Sequence, residues 1–199
     1  MRIMGQAKRR GADIQKWLAC LSPEERQISD VAQRLLLRFI DPSEATGMCY
    51  RLTYFLHLYL VDKGIKTTPV VGYVNDGTDD VFISHAWLVY EGKKIDLTVG
   101  RAERPDLNPP GDILILDFPF RRADKYTYHL AKSTAAIAVE NEWLKDPRGA
   151  GIVRQKAAEH EVMERRALNP QDMRVFLDQA PDGLTYSRLA SIIDGERPR

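Results

Sequence analysis

The sequence predicts an α+β protein in which helices come first, an antiparallel sheet follows and helices return at the end. Up to about residue 64, apolar residues recur at intervals of three and four, as in amphipathic helices. Between residues 65 and 116 the period changes to two, and turn residues separate the apolar runs, which indicates strands. From about residue 123 the helical pattern returns. This order of elements is that of an α+β domain.

Three helices are predicted before the sheet. The second starts with Ser22 and Pro23, because serine caps a helix and proline suits its first position. It ends just before Pro42, since a proline disfavours helical geometry in the residue that precedes it. The third runs from about Cys49 to Gly64 and is apolar nearly all round. We therefore expect it to be the central, buried helix.

Strands are predicted in the middle of the chain. Their ranges are 65–74, 81–90, 93–99 and 113–116. Three prolines and a glycine between residues 101 and 112 predict a loop. We expect residues 1–122 to form the core domain with its N-terminal helices. Residues 123–199 are expected to form a helical C-terminal extension, packed on that domain or appended to it.

Composition excludes several classes of protein. The 199 residues include 44% hydrophobic and 29% charged residues, which is ordinary for a globular protein. A net charge of +1 gives no general attraction to nucleic acid or to a membrane surface. No apolar run approaches the roughly 18 residues of a membrane span, and no secretory signal is evident. We expect a cytoplasmic protein whose two cysteines, Cys20 and Cys49, are free thiols.

Three residues carry the chemistry that this sequence indicates most clearly: Cys49 at a helix start, His85 in a strand and Asp96 in the next strand. They are the components of a thiol nucleophile, its general base and the carboxylate that orients the base. At the start of a helix, unpaired backbone N–H groups and the helix dipole favour a thiolate over a thiol. The Cys49 N–H is also the natural donor to an oxyanion.

The hairpin between the two strands allows the geometry to be tested. If Glu91 and Gly92 form a two-residue turn, the register of the strands is fixed. The predicted pairs are Tyr90 with Lys93, Leu88 with Ile95 and Trp87 with Asp96. In that register His85 and Asp96 are diagonal neighbours on one face, about 7–8 Å apart, which their side chains can bridge. A turn one residue longer would put them on opposite faces.

Each of the three residues also has a structural interpretation. A helical cysteine is often a small buried hydrophobe, a strand histidine often only packs, and an aspartate at the position of Asp96 is also suited to cap a turn. Their occurrence together, in this order and on one face, favours the catalytic interpretation. His129 is the one rival base. We expect His57 and Cys20 to lie in the core and Trp87 to pack beside the sheet core or to line an acyl pocket.

The sequence around these residues resembles the transglutaminase-like branch of the papain-like thiol enzymes. The resemblance covers about residues 44–99. It rests on Gly47-Met48-Cys49, Gly64-Ile65, Val70-Val71-Gly72-Tyr73, His85-Ala86-Trp87 and Ile95-Asp96-Leu97-Thr98. It implies a central helix bearing the cysteine, packed on an antiparallel sheet that bears the histidine and the aspartate.

The resemblance also implies an activity. Cys49 would be the nucleophile, His85 the base and Asp96 the orienting acid, in an enzyme that attacks an amide or ester carbonyl and forms an acyl-enzyme. The family includes peptidases, amidases, deamidases, cross-linking enzymes and acyltransferases. The expected partner is a protein or peptide substrate or a small amide or acyl donor, with no metal or organic cofactor. Residues 40–46 contain no glutamine, so the second oxyanion donor of some papain-like enzymes is not assigned.

Two alternatives remain open. The pattern of Cys, His-Ala-Trp and Asp also resembles the leader-peptide proteases of lasso-peptide maturation. A catalytically degenerate thiol-enzyme fold that binds another protein is the non-enzymatic alternative, with the charged helical segment 155–166 as its binding surface. A metal site is not expected, because the four histidines are scattered along the chain. The sequence gives no indication of the oligomeric state.

Overall fold

The structure is a computed structural model that describes residues 2–102, 104 and 108–195, with side chains described from residue 10 onward. The helices in these residues are α1 (Arg2–Ala19), α2 (Pro23–Leu35), α3 (Cys49–Asp62), α4 (Thr134–Trp143), α5 (Pro147–Ala167), α6 (Pro170–Asp178) and α7 (Tyr186–Asp194). The strands are β1 (Thr68–Asn75), β2 (Ile83–Tyr90), β3 (Lys93–Ile95), β4 (Ile113–Ile115), β5 (Phe118–Arg121) and β6 (Thr127–His129). The protein is α+β, as the sequence predicts.

The strands form an antiparallel sheet in the order β3-β2-β1-β6 and a separate pair, β4-β5. A single bridge between Asp96 and Leu114 connects the end of β3 to the second pair. In the larger sheet β2 lies between β1 and β3, so both of its edges are hydrogen-bonded. The strand that carries His85 is therefore held on both sides.

The turn between β2 and β3 has the geometry on which the predicted register depends. Glu91 and Gly92 both have positive φ angles, 47° and 79°, as a type I′ turn requires. Leu88 pairs with Ile95, and Tyr90 pairs with Lys93. These two predicted pairs are confirmed.

Two predictions about the strands are wrong. β3 ends at Ile95 rather than at residue 99, because the Asp96 carboxylate accepts the backbone N–H groups of Thr98 and Val99 and turns the chain. Asp96 thus lies just past the strand. Residues 127–129 form the strand β6 rather than a helix, because they pair with the free edge of β1.

The helix boundaries near the site follow local signals in the sequence. Ser22 caps α2, and Glu25 returns a hydrogen bond to the Ser22 backbone, which completes a capping box. After α2 the chain makes one π-helical turn over Leu36–Ile40. Gly64, with φ of 83°, lies just past the end of α3 in the left-handed conformation that ends many helices.

Helix α3 is the central helix, as predicted, because it is buried along most of its length and packs against β1, β2, α6 and α7. Residues of the C-terminal helices belong to the same hydrophobic core. They are Met163, Met173, Leu177, Leu189 and Ile193. The Tyr54 hydroxyl of α3 also donates a hydrogen bond to the Met163 carbonyl of α5. Helices α5 to α7 therefore share the core that positions α3. Within the described residues, no helix is long and apolar enough to cross a membrane.

Gly72 of β1 allows two neighbours to approach the sheet closely. A Cβ atom at this position would lie 2.5 Å from the His129 carbonyl oxygen and 2.7 Å from the Trp87 ring. Even the methyl group of an alanine would therefore push β6 or the Trp87 ring away from β1.

We expect Gly72→Ala to lower the free energy of unfolding by about 1–3 kcal/mol, because the added methyl group overpacks the sheet. Urea unfolding followed by circular dichroism measures the change. Gly151→Ala is the matched control. An added Cβ at this α5 position meets no atom within 4 Å, and replacing glycine in a helix stabilises it by about 0.5–1 kcal/mol. Equal stability of the two variants would contradict the packing argument.

Candidate active site

Asp96 is a buried carboxylate whose oxygens are surrounded by donors. Oδ1 accepts the backbone N–H groups of Thr98 and Val99 at 2.9 and 3.1 Å and the Thr98 hydroxyl at 3.1 Å. Oδ2 accepts the Tyr128 hydroxyl at 2.9 Å and pairs with His85 Nε2 at 2.7 Å. These contacts compensate the loss of water that a buried carboxylate suffers. The Asp96 side chain is therefore fixed in one orientation.

His85 lies between Asp96 and Cys49. Its Nε2 is engaged by the carboxylate, which leaves Nδ1 as the nitrogen available to another partner. The thiol of Cys49 is close enough to the imidazole to raise the pKa of His85, together with Asp96. The carboxylate thus fixes the orientation of the ring, and the ring faces the thiol.

Cys49 is the first residue of α3 and is only partly buried. Two hydrogen bonds connect its helix to the strand of His85. The Tyr50 hydroxyl and the Ser84 hydroxyl are 2.5 Å apart, and the Thr53 hydroxyl donates to the Ala86 carbonyl at 3.1 Å. Tyr50 follows Cys49 in the chain, and Ser84 and Ala86 flank His85. The separation of thiol and imidazole is therefore set by neighbours on both segments.

The His85–Asp96 pair has perturbed protonation equilibria. Burial by itself would lower the pKa of His85, but the charge of Asp96 and its hydrogen bond outweigh burial and raise that pKa to about 10. Burial would likewise raise the pKa of Asp96, but the charge of His85 and the hydrogen bonds that Asp96 accepts hold it below its usual value. Both groups are consequently charged at neutral pH.

Cys49 and His85 open into a cavity of about 920 Å³. The cavity walls come from the start of α3, the end of β1, the start of β2, the segment after Asp96 and the helices α4 and α5. Asp96 lies behind His85 and is 2% exposed. The structure thus brings the three predicted residues together, with the thiol and the imidazole at the cavity surface and the carboxylate buried behind them.

The sequence analysis also made predictions for Cys20, His57 and His129. Cys20 is exposed near the end of α1, so its expected place in the core is wrong. His57 is buried with Nδ1 2.9 Å from the Thr67 hydroxyl, which confirms a hydrogen-bonded core residue. His129 contacts the Thr127 hydroxyl through Nε2 at 2.8 Å and packs on Phe82. Its polar contact is therefore local to its own strand.

Trp87 is buried in the sheet. Its ring meets that of Tyr128 edge to face, with centroids 5.1 Å apart, and the Gly72 backbone lies beside it. Of its two expected locations, the one beside the sheet core is confirmed.

Two groups at the site were missed by sequence reasoning. Tyr128 donates to Asp96 from β6, and His160 of α5 contacts the Ser84 hydroxyl through Nδ1 at 2.5 Å. The ring of His160 also stacks on Tyr73, with centroids 4.4 Å apart. The alternation of aromatic and polar residues at 126–129 was an available signal for a strand. His160 gave none, because its surroundings in the sequence are charged and helical.

The described residues contain no group of three or more His, Cys, Asp or Glu side chains placed to hold a metal ion.

Comparison of the chain with known proteins finds no matching family model, no matching curated protein and no matching solved structure. The resemblance to transglutaminase-like enzymes therefore stays a prediction, and the chemistry must be inferred from the site itself.

We expect the histidines to titrate in a distinct order. The pKa of His85 is raised, whereas burial lowers the pKa values of His57 and His160. Proton NMR of the imidazole rings against pH should show His85 cationic well above neutrality and the other two neutral until the pH falls below 6.5. In Asp96→Asn the His85 pKa should drop, because burial then acts without the opposing charge. Titration of all three histidines together would contradict the assignment.

The same shift sets a pH dependence of stability. The folded-state pKa of His85 lies above the unfolded value of about 6.5, and that of Asp96 lies below its unfolded value of 3.8, so the pair stabilises the fold fully between these two pH values. This contribution is lost as the pH rises from about 6.5 through about 10.

Proposed function

We propose that the protein is a cysteine-dependent enzyme of the transglutaminase-like kind. It attacks an amide or ester carbonyl through Cys49 and passes the acyl group to water or to an amine. A protein or peptide, or a small amide or acyl donor, serves as substrate. The proposal includes a papain-like arrangement, in which α3 carries the nucleophile and packs on the sheet that carries the base.

One observation carries the proposal: a buried carboxylate holds a histidine beside a partly buried thiol, and both the histidine and the thiol line a large cavity. Structural ion pairs also perturb pKa values, so the pair of His85 and Asp96 alone would be weak support. The addition of a cysteine at a helix start, held against the histidine by flanking hydrogen bonds, distinguishes this site from an ion pair that only stabilises the fold.

In the acylation step, His85 already carries a proton, as an imidazolium that Asp96 stabilises, and the Cys49 sulfur reacts as the thiolate paired with it. The sulfur attacks the carbonyl carbon, and the carbonyl π electrons move to oxygen. The Cys49 backbone N–H lies in the first turn of α3, where no intrahelical acceptor is available, and it donates to that oxyanion. When the intermediate collapses, the leaving amine or alcohol takes the proton from His85 and a thioester remains.

Deacylation repeats the sequence with a different nucleophile. Neutral His85 takes a proton from water or from an acceptor amine, whose oxygen or nitrogen attacks the thioester carbonyl. The carbon–sulfur bond breaks, and the imidazolium returns its proton to the Cys49 sulfur. Asp96 keeps the same nitrogen of the ring engaged throughout, so the ring needs no reorientation between the two steps.

The two cysteines provide an internal comparison of thiol reactivity. We expect iodoacetamide to alkylate Cys49 with the help of His85 and to alkylate Cys20 without it, because a neighbouring imidazole increases the reactivity of a thiol. Peptide mass spectrometry of a timed reaction measures both sites in one sample. Asp96→Asn should slow the alkylation of Cys49 and leave that of Cys20 unchanged. A Cys49 rate that Asp96→Asn does not change would favour the degenerate binding module.

We also expect 4-nitrophenyl acetate to acetylate Cys49. His85→Gln should slow this acylation by about 10²–10⁴-fold, which is the usual contribution of a general base, and Cys49→Ala should abolish labelling at that position. Intact-protein mass spectrometry and release of nitrophenol follow the reaction. Cys20→Ala is the matched control and should acylate Cys49 at the normal rate. Circular dichroism checks that each variant folds, and acylation unaffected by His85→Gln would remove the histidine from the mechanism.

A further inference from the structure

The cavity has a helical wall whose position relative to Cys49 is fixed. Residues of α5 that line the cavity recur along one helix face. They are Gly149, Ile152, Val153, Lys156, Ala157, Glu159 and His160. From Ile152 to His160 this face extends eight residues, or about 12 Å at the helical rise of 1.5 Å. The wall is therefore much longer than an acetyl group.

His160 attaches one end of this wall to the strand that carries His85 and to the helix that carries Cys49. It contacts the Ser84 hydroxyl, which in turn contacts the Tyr50 hydroxyl, and these residues neighbour His85 and Cys49 in the chain. The His160 end of the wall thus lies beside the reacting groups, and the Ile152 end lies farther along the cavity. A substrate bonded to the sulfur has a defined direction in which to extend.

The outer end of the wall is apolar and exposed. Ile152 is 64% exposed and Trp143, the last residue of α4, is 46% exposed, yet both line the cavity. Val153 of α5 and Phe82, which precedes β2, add apolar surface. Removing such surface from water is favourable, so a ligand that covers it gains affinity.

Several charged residues of the cavity are paired with protein groups. Lys132 forms an ion pair with Glu140, Lys156 is 3.2 Å from Glu159 and Arg101 is 3.1 Å from Asp41. A charged acyl group would have to compete with these ion pairs for its partner. An apolar acyl group would instead cover the exposed apolar side chains of the cavity, which water otherwise contacts. The composition of the wall therefore favours an apolar ligand.

We propose that the α5 wall and Trp143 form a subsite for the acyl group of the donor, and that this group is bulky and apolar and lies along the wall, which is about 12 Å long. This inference rests on the proposed function. A linear acyl chain and the apolar side chains of a peptide share this chemistry, and the choice of probe separates them.

The test measures the rate constants with which the 4-nitrophenyl esters of octanoate and of acetate acylate Cys49. The rate constant for each ester is divided by that for its reaction with free N-acetylcysteine, and the octanoate value is then compared with the acetate value as a ratio. We expect octanoyl transfer to be favoured by about tenfold or more, as apolar pockets discriminate by about 10–200-fold per group. Ile152→Asn and Trp143→Ala should each move this ratio toward one. Leu168→Asn is the matched control, because Leu168 at the end of α5 is 82% exposed and outside the cavity lining.

The ester of N-acetylphenylalanine, compared with that of N-acetylaspartate, identifies the source of the apolar group. A large preference within this pair, with none for octanoate over acetate, indicates a peptide side chain, and the reverse indicates a linear chain. A ratio near one in both pairs, with Cys49 acylated normally, overturns the inference and leaves the proposed function intact.

Failure of every ester to acylate Cys49 would instead overturn the proposed function. Calorimetric titration of the Cys49→Ala protein with octanamide and with N-acetylphenylalaninamide then tests the subsite separately, because binding needs no reaction. Binding of either ligand that Ile152→Asn weakens about tenfold supports the subsite. Absence of binding by both overturns it.

Discussion

The buried carboxylate of Asp96 is the group on which the rest of the site depends. Removing a carboxylate from water costs several kcal/mol, and only donors already in place can compensate it. The donors come from separate parts of the chain: the turn at Thr98 and Val99, the strand of His85 and the strand of Tyr128. The free energy of one buried anion therefore couples the hairpin, the turn after it and the far edge of the sheet.

The parts of this arrangement that sequence reasoning predicted are those that local rules determine. A two-residue turn with positive φ at both positions fixes the pairing of its strands, so the proximity of His85 and Asp96 followed from the spacing of the sequence alone. The start of α2 at Ser22 and the end of α3 near Gly64 followed from capping chemistry. Each of these features involves residues within about a dozen positions of one another.

The parts that were missed depend on contacts between distant residues. Tyr128 lies 32 positions from Asp96, and His160 lies 76 positions from Ser84. The alternation at residues 126–129 is only four residues long, and β6 forms because β1 offers an unpaired edge. The segment around His160 is rich in charge and resembles a solvated helix face. The apolar stripe beside Cys20 predicts a place in the core, but the residue lies in the turn past α1.

The C-terminal helices contribute side chains both to the hydrophobic core and to the cavity wall, and this limits how far they can move. Met163 lies in the hydrophobic core, and its carbonyl accepts the hydroxyl of Tyr54 in α3. Three residues earlier on the same helix, His160 contacts Ser84 beside the reactive histidine. A shift of α5 that widened the cavity would break both attachments, so the inner end of the wall is rigid. At its outer end, Ile152 is 64% exposed and does not belong to that hydrophobic core, so this side chain can change without disturbing Cys49.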